Sequence, residues 1–259
     1  RPYPLCGYGG SFRRWMYSDN PMPYNSYGNG AAMRVSGCGY VGKTIDEVKQ
    51  LSKAVTEVTH NHPEGLKGAE ATAVAVFLAR TGKSLIEIQD YIIQNYYPLG
   101  FTLNSIRENY QFNETCQDTV PQALEAFFES TDFEDAIRNA ISIGGDSDTL
   151  AAITGSVAEA YYGVPTSIRK HALTFLDERL LRILLEFENR YPAKTEKKND
   201  IGSVGIPPST GKKVKTGGRA EMIESAMDVA DLELDASTAH PEETTSQKLF
   251  SHLFEACNI

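Results

Sequence analysis

Apolar side chains recur every three or four positions over most of residues 44–190, a spacing typical of amphipathic helices. Two of the predicted helices begin with a capping box, in which a hydroxyl residue is followed three positions later by glutamate. The two boxes are residues 44–47 (TIDE) and residues 84–87 (SLIE). The first predicts a helix that runs to about Val58, and the second predicts a helix that stops before Pro98.

Two segments dominated by small residues are predicted to form the centre of the fold. Residues 67–80 carry almost no charge in their interior, as expected for a helix buried on most sides, and residues 149–162 are ended by Gly163 and Pro165. No segment shows the alternation typical of a β-strand. We therefore predict an all-α fold, with further helices at 121–129, 132–141 and 167–190.

Composition divides the chain into a helical domain, residues 1–191, and a linker with an acidic tail, residues 192–259. Within the domain, residues 1–42 are rich in Gly, Pro, Tyr and Asn and are predicted to form loops. Residues 192–219 are rich in lysine, whereas residues 220–259 carry nine acidic side chains against one lysine. The tail has few large apolar side chains to offset the entropy of ordering, so we expect it to be disordered.

The overall charge limits the classes of partner. The chain has 25 Lys and Arg against 34 Asp and Glu, a net charge of −9, whereas a nucleic-acid groove needs clustered positive charge. No apolar stretch approaches the ~20 residues of a membrane helix. The four cysteines form no Cys-x-x-Cys pair, so neither a thiolate zinc site nor a disulfide framework is indicated. We expect a cytoplasmic protein with neither nucleic acid nor membrane as partner.

A double glycine precedes two acidic residues at the predicted start of the 149–162 helix. The segment reads Gly144, Gly145, Asp146, Ser147, Asp148, Thr149. In one interpretation Asp146 or Asp148 only caps the helix, a role that needs a single acid. In the other, both carboxylates and the Thr149 hydroxyl are oxygen ligands of Mg²⁺, Mn²⁺ or Ca²⁺. The spacing leaves both interpretations open.

A second candidate site is a run of small residues around one tyrosine. The run reads Ser26, Tyr27, Gly28, Asn29, Gly30. Small residues expose backbone N–H groups and a hydroxyl to an anionic or ribose-bearing ligand, and Tyr27 can stack on a base. The alternative is a surface turn that carries an exposed tyrosine.

Two histidines, His60 and His62, precede the first buried helix. Their spacing of two does not match the spacing of four in a helical zinc pair, so no zinc site is predicted. Two interpretations remain. A neutral histidine donates a hydrogen bond to a phosphate or hydroxyl group, or it caps the next helix.

Taken in order, these three motifs, with the continuation Leu150-Ala151-Ala152-Ile153-Thr154-Gly155, resemble the ADP-ribosylglycohydrolase family, the dinitrogenase-reductase-activating glycohydrolase-like enzymes. The resemblance spans about residues 7–185. It implies an all-α domain around a centre of two Mg²⁺ ions, for which Mn²⁺ can substitute. It also implies hydrolysis of the glycosidic bond between ADP-ribose and a protein side chain or related acceptor.

The resemblance also implies roles for particular residues. The implied metal ligands are Asp146, Asp148 and Thr149. The implied contacts with ADP-ribose are Ser26, Tyr27, Gly28, Asn29, Gly30 and His60, and Met33 and Arg34 support that loop.

The Gly-Asp and Thr-Asp-Asp-Thr segments that complete the family's metal site have no counterpart in this sequence. We therefore expect an N-terminally truncated domain and leave two functions open. One is a Mg²⁺-dependent hydrolase of ADP-ribosylated proteins, whose N-terminal segment is either missing from this sequence or supplied by another chain. The other is an inactive ADP-ribose-binding protein, or a truncated fragment of such an enzyme.

Overall fold

The computed structural model describes Tyr3 and residues 6–192, and this part of the chain is helical. Its α-helices, in chain order, are α1 Gly10–Met16, α2 Gly30–Met33, α3 Ser36–Val41, α4 Ile45–Thr56, α5 Pro63–Arg80, α6 Leu85–Asn95, α7 Leu103–Ile106, α8 Val120–Phe128, α9 Phe133–Ser142, α10 Ser147–Tyr162, α11 Thr166–Leu173 and α12 Glu178–Arg190. A 3₁₀ turn spans Cys116–Asp118. Over the described ranges, β-pairing is limited to an isolated antiparallel bridge between Gly28 and Thr115. The prediction of an all-α fold is confirmed.

The two small-residue helices, α5 and α10, lie at the centre of the fold. Residues 71–79 of α5 are buried without interruption, because their small side chains let neighbouring helices approach from every direction. Helix α5 packs against α2, α3, α4, α6, α8 and α10, and α10 packs in addition against α8 and α9. The start of α10 is thereby held next to α2, which follows the predicted ligand segment.

Both predicted capping boxes mark the start of a helix, although only one is complete. Ser84 accepts the Glu87 N–H, and the Glu87 carboxylate accepts the Ser84 N–H. At α4, the Thr44 hydroxyl accepts the Glu47 N–H at 3.2 Å. The Glu47 carboxylate accepts the backbone N–H of Lys43 at 3.0 Å instead of that of Thr44. Local sequence signals thus place these helix starts to within a residue.

The prediction that residues 1–42 form only loops is wrong, because they contain three helices. Helix α3 forms despite its glycines, and Gly39 shows why. A Cβ atom at Gly39 would lie 2.6 Å from the Ala73 carbonyl oxygen, so the glycine allows close packing on α5. Tertiary contact here outweighs a weak intrinsic preference for helix.

The predicted helix at 167–190 is two helices, α11 and α12. Thr174 donates its hydroxyl to the His171 carbonyl at the end of α11, and Asp177 then accepts the Leu180 N–H at 2.8 Å. Asp177 therefore starts a new helix within an apolar pattern that runs through the break.

The predicted linker and acidic tail lie outside the described residues, apart from Pro192. The domain boundary at residue 191 stays a prediction. Within the described ranges, no helix is long and apolar enough to cross a lipid bilayer.

Candidate functional site

The segment before α10 turns sharply because two consecutive glycines adopt the left-handed backbone conformation. The φ angle is +74° at Gly144 and +68° at Gly145, values that other residues rarely adopt. A Cβ atom on Gly145 would also lie 2.5 Å from Cε1 of Tyr110. The turn places Asp146 at the N-terminus of α10, where the helix dipole favours negative charge.

The structure brings the three predicted metal ligands together at this helix start. The Asp146 and Asp148 carboxyl groups lie close enough to shift each other's pKa. Burial raises the pKa of Asp146 and the neighbouring Asp148 adds to this, whereas the hydrogen bond from Asp146 lowers the pKa of Asp148. When both groups are ionised they repel each other, and a divalent cation between them would remove that repulsion.

Helix capping does not account for Asp146. The residue occupies the N-cap of α10, but its side chain makes no capping hydrogen bond. Instead, its Oδ2 atom accepts a hydrogen bond from Asn29 Nδ2 at 2.7 Å. The acid that interacts with backbone N–H groups at the helix start is Asp148, whose pKa is also lowered by the N–H groups of Asp148 and Thr149.

The oxygen atoms at the start of α10 are of the type that a hard divalent cation binds, but they are fewer than such a cation prefers. They belong to two carboxylates and to the hydroxyl of Thr149, which is buried and donates to Met33 Sδ at 3.7 Å. Mg²⁺ prefers six oxygen ligands. Within residues 6–192, no group of three or more His, Cys, Asp or Glu side chains could hold a metal ion. One ion here would therefore keep several water ligands, and a second would need ligands from elsewhere.

Asn29 joins the predicted ligand segment to this helix start. The residue is only 6% exposed. Besides Asp146, its Nδ2 atom reaches Thr119 Oγ1 at 3.1 Å and the Asn113 carbonyl at 3.4 Å. Its backbone N–H donates to the Glu114 carbonyl at 2.7 Å. The two predicted sites are thus one site, and the Asn29 amide points into the protein between them. A direct contact of Asn29 with ADP-ribose stays a prediction.

The rest of the ligand segment is held largely by its own polar groups and by Cys116. The Gly28 N–H donates to Ser26 Oγ at 3.2 Å, and the Cys116 N–H donates to the Tyr27 carbonyl at 2.9 Å. Burial raises the pKa of Cys116 to about 12, so its thiol stays protonated and donates to the Gly28 carbonyl at 3.2 Å. The N–H groups of Gly28 and Asn29, which we expected at the surface, are therefore engaged within the protein.

The two histidines divide the roles that the sequence left open. His62 Nδ1 accepts the Glu64 N–H at 3.1 Å and caps α5. His60 Nδ1 lies 2.7 Å from Thr59 Oγ1 and 3.1 Å from Arg34 Nη2. Because a guanidinium group can only donate, Nδ1 is assigned as the acceptor, and a neutral ring then carries its proton on Nε2.

His60 presents this Nε2–H group to the glycines of the ligand segment. Burial, followed by the positive charge of Arg34, lowers the pKa of His60 to about 4, so the ring is neutral at physiological pH. Its Nε2 atom lies 3.6 Å from where a Cβ of Gly28 would be and 3.7 Å from the same position at Gly30. The ring, which is 6% exposed, therefore directs a hydrogen-bond donor toward the backbone of these two glycines, and a contact of His60 with ADP-ribose stays a prediction.

An open cavity of about 500 Å³ borders the ligand segment. Its walls are formed by Ser26, Tyr27, Gly28, Phe112, Asn113, Glu114 and Thr115. Tyr27 is 46% exposed and Phe112 is 65% exposed. Our sequence prediction included Tyr27 but missed Phe112, for which the available signal was a lone phenylalanine in a polar run.

Comparison with known proteins assigns the family. The profile described as ADP-ribosylglycohydrolase matches residues 4–196, well over half of the chain. The chain belongs to the ADP-ribosylglycohydrolase family. This member is 28% identical over 184 residues to ADP-ribosylhydrolase ARH3 of Gallus gallus, an alignment that covers 53% of this chain and 50% of that protein.

The chain is also similar to a second curated relative and to a solved structure. The chain is 27% identical over 164 residues to the ADP-ribosyl dinitrogen reductase glycohydrolase of Rhodospirillum rubrum, covering 59% of this chain and 53% of that protein. A solved structure described as an ADP-ribosylglycohydrolase-related protein complex is 24% identical, with a TM-score of 0.48 over 60% of this chain and 59% of that chain. The chain thus spans about half the length of the curated relatives it matches.

Proposed function

We propose that this protein removes ADP-ribose from modified proteins by hydrolysing the glycosidic bond, with Mg²⁺ or Mn²⁺ held at the start of α10. The relatives' names are those of ADP-ribosyl hydrolases. The observation that carries the proposal is the 2.7 Å hydrogen bond from Asn29 to Asp146, because it joins the ligand segment and the carboxylate pair in one site. A ligand bound by that segment would end beside the carboxylates.

The residues divide the binding of ADP-ribose between them. The diphosphate lies along the glycines, where His60 donates from Nε2. Because the pKa of His60 is about 4, this donor is unchanged through neutral pH. Tyr27 and Phe112 offer exposed rings to the adenine base at the cavity.

The glycosidic bond lies toward Asp146 and Asp148. A divalent cation bound there would supply Lewis-acid chemistry and lower the pKa of the attacking water. Asn29 holds the Asp146 carboxylate in place, and the Asp146–Asp148 pair supplies two of the three protein oxygen donors. The third is the Thr149 hydroxyl.

A second candidate function is ADP-ribose binding without cleavage. The observation that favours it is the small number of oxygen donors at the start of α10 in the described part of the chain. A cation held by three protein ligands binds weakly, and binding of ADP-ribose by the ligand segment does not by itself require a cation.

Two assays on the full chain separate these functions. Calorimetric titration with ADP-ribose, with and without Mg²⁺, measures binding, and release of ADP-ribose from an ADP-ribosylated protein measures turnover. Binding with Mg²⁺-dependent release supports the hydrolase, and binding without release supports the second candidate. Absence of both binding and release overturns both proposals.

Replacement of Phe112 tests the placement of the base. Phe112→Ala should raise the Kd for ADP-ribose about tenfold, the typical cost of losing one base–aromatic stack. The matched control is Phe175→Ala, which removes another exposed ring, 74% accessible and outside the cavity, and should leave the Kd unchanged. Ribose 5-phosphate has no base and should bind both variants like the parent. An equal loss for ribose 5-phosphate would show that Phe112 only shapes the loop.

We also propose that the protein works in the reducing cytoplasm. Within the described part of the chain, Cys6 and Cys116 form no disulfide bond. Proteins of oxidising compartments commonly pair such cysteines as disulfides. Fractionation of cells that produce the protein, followed by labelling of free thiols, checks both the compartment and the redox state.

A further inference from the structure

Two residues one helical turn apart, Asn29 and Met33, contact different residues at the start of α10. Asn29 Nδ2 donates to Asp146 Oδ2 at 2.7 Å, and Met33 Sδ accepts from Thr149 Oγ1 at 3.7 Å. Side chains at positions i and i+4 lie on the same face of a helix. The segment from Asn29 to Met33 is therefore joined to the start of α10 at two points, once at Asp146 and once at Thr149.

The next residue along the chain, Arg34, is tied to the ligand-facing histidine. Its Nη2 atom lies 3.1 Å from His60 Nδ1 and 3.2 Å from Thr59 Oγ1. His60 in turn faces Gly28 and Gly30 from its Nε2 side. Residues 29–34 thus contact both His60, through Arg34, and Asp146, through Asn29.

The Asn29 amide is well placed to set the orientation of the Asp146 carboxylate. Its two N–H hydrogens have three acceptors within 3.4 Å, and Thr119 and the Asn113 carbonyl hold the amide in its plane. A carboxylate engaged through one oxygen by a fixed donor presents its other oxygen in one direction. Because Asn29 is 6% exposed, water does not readily replace this donor.

We propose that Asn29 is a positioning residue for Asp146 and that it couples the two halves of the site. A divalent cation at Asp146 and Asp148 then tightens the binding of ADP-ribose by the ligand segment. Thermodynamic linkage requires that ADP-ribose tightens the binding of the cation by the same factor. This inference rests on the proposed function, since it takes ADP-ribose as the ligand. A merely structural Asn29 would instead affect stability and leave the coupling unchanged.

Mn²⁺ and ADP-ribose titrated into the full chain measure the coupling directly. The Kd for Mn²⁺ is measured by electron paramagnetic resonance with and without ADP-ribose, and the Kd for ADP-ribose by calorimetry with and without Mn²⁺. In the parent protein each ligand should tighten the other about tenfold. Asn29→Leu keeps a similar volume but has no donor, so we expect the factor to fall below about twofold and the Mn²⁺ affinity to fall about tenfold.

A matched control and a second variant separate positioning from folding. Asn139→Leu removes a half-buried amide that donates to the Ala126 carbonyl at 3.4 Å, away from the site, and should keep the full coupling. Met33→Leu keeps the volume but removes the sulfur acceptor of Thr149, so it should reduce the coupling without abolishing it. If Asn29→Leu does not fold, full coupling in Met33→Leu overturns the proposal and reduced coupling supports it.

The outcomes also distinguish this proposal from the proposed function. If the parent binds both ligands and Asn29→Leu shows the same coupling, the positioning role is overturned and the proposed function stands. If the parent binds Mn²⁺ but not ADP-ribose, the proposed function fails. In that case the positioning role is tested by the Mn²⁺ affinity of Asn29→Leu alone. A tenfold loss of affinity relative to the parent supports the role, and an unchanged affinity overturns it. If the parent does not bind Mn²⁺, the positioning proposal falls.

Discussion

Asp132 and Asp146 both stand at the N-cap of a helix, yet their side chains make different contacts. Asp132 Oδ1 accepts the Asp135 N–H at 2.8 Å, the usual capping bond of α9. Asp146 makes no capping bond to α10 and instead faces Asn29 and Asp148. Aspartate at the N-cap thus stabilises α9 through a capping hydrogen bond, whereas at α10 its side chain turns away from the helix.

At α10 the stabilisation that a capping hydrogen bond provides is absent, and the Asp146 side chain contacts other polar groups instead. Asp146 follows two left-handed glycines and forms a like-charged pair with Asp148, whereas α9 begins with an ordinary cap. Local rules agree with the fold over most of a protein and fail mainly at functional sites. The comparison therefore favours Asp146 over Asp132 as the candidate for a chemical role.

The strongest way to break the comparison is to remove a carboxylate from the pair. Asp148→Asn should weaken Mn²⁺ binding and slow ADP-ribose release by more than about 100-fold, because a direct ligand is lost. Paramagnetic resonance and the release assay measure these two effects. Asp132→Asn is the control and should retain both activities. An unchanged Mn²⁺ affinity in Asp148→Asn would exclude the pair as the cation site.

A substitution in the ligand segment tests the other half of the site. A Cβ at Gly28 would lie 3.3 Å from Ser26 Oγ and 3.6 Å from His60 Nε2, so a branched side chain there crowds the loop. Gly28→Val should raise the Kd for ADP-ribose roughly 10- to 100-fold. Calorimetry checks this, with Gly100→Val as the control, because a Cβ at Gly100 meets nothing within 4 Å. Equal affinities in the two variants would refute the role of the loop.

The pH dependence of stability tests whether His60 is buried in its neutral form. Its pKa of about 4 lies below the ordinary value of 6.5, so between these values the unfolded chain binds more protons. The contribution of His60 is complete above about pH 6.5 and is lost as the pH falls toward 4, by up to about 3 kcal/mol. Denaturant unfolding from pH 4 to 8 should show this loss in the parent and not in His60→Gln.

The contribution of Glu125 to the unfolding free energy changes with pH in the opposite direction over a similar pH range. Burial and the neighbouring Glu129 raise its pKa to about 7, so its contribution is lost as the pH rises from about 4.5 to 7. Both proteins contain Glu125, so the difference between the two curves isolates His60. Parallel curves for the parent and His60→Gln would show that His60 is not held neutral by burial.

The smallest effect concerns the two N-cap aspartates themselves. Asp132→Ala should lower the unfolding free energy by about 1 kcal/mol, the usual cost of a lost cap, without changing the Kd for ADP-ribose. Asp146→Ala should cost less stability but abolish Mn²⁺ binding. Denaturant titration of both variants checks this. If the two substitutions destabilise the protein equally, Asp146 acts as a cap and the contrast between the aspartates disappears.

Most of the helices could be predicted from sequence because their signals are local. The boxes at 44–47 and 84–87, and the cap at Asp132, act within one helical turn, and each stands at an observed helix start. The three acceptors of the Asn29 amide could not be predicted, because they come from residues 84 to 117 positions away. Periodicity contains no information about such distant contacts.

The candidate site shows the same division. The motif at 144–149 was compatible with oxygen ligands from residue type and spacing alone, but helix capping and metal binding both remained open. The structure shows that Asp146 does not cap α10, because the contact with Asn29 is made across the fold. Similarly, the sequence offered two roles for the histidines, and only packing placed His62 at the cap and His60 beside the glycines.

The sequence by itself determined the all-α class and the two central small-residue helices, and it singled out the residues of the candidate site. These depend on side-chain volume, hydrophobic spacing and capping, all of which act over a few residues. Only the tertiary structure decided that the ligand segment and the carboxylate pair form one site, and that the Asn29 amide lies between them. The physical reason is that a buried hydrogen bond joins whichever polar groups packing brings together, whatever their separation along the chain.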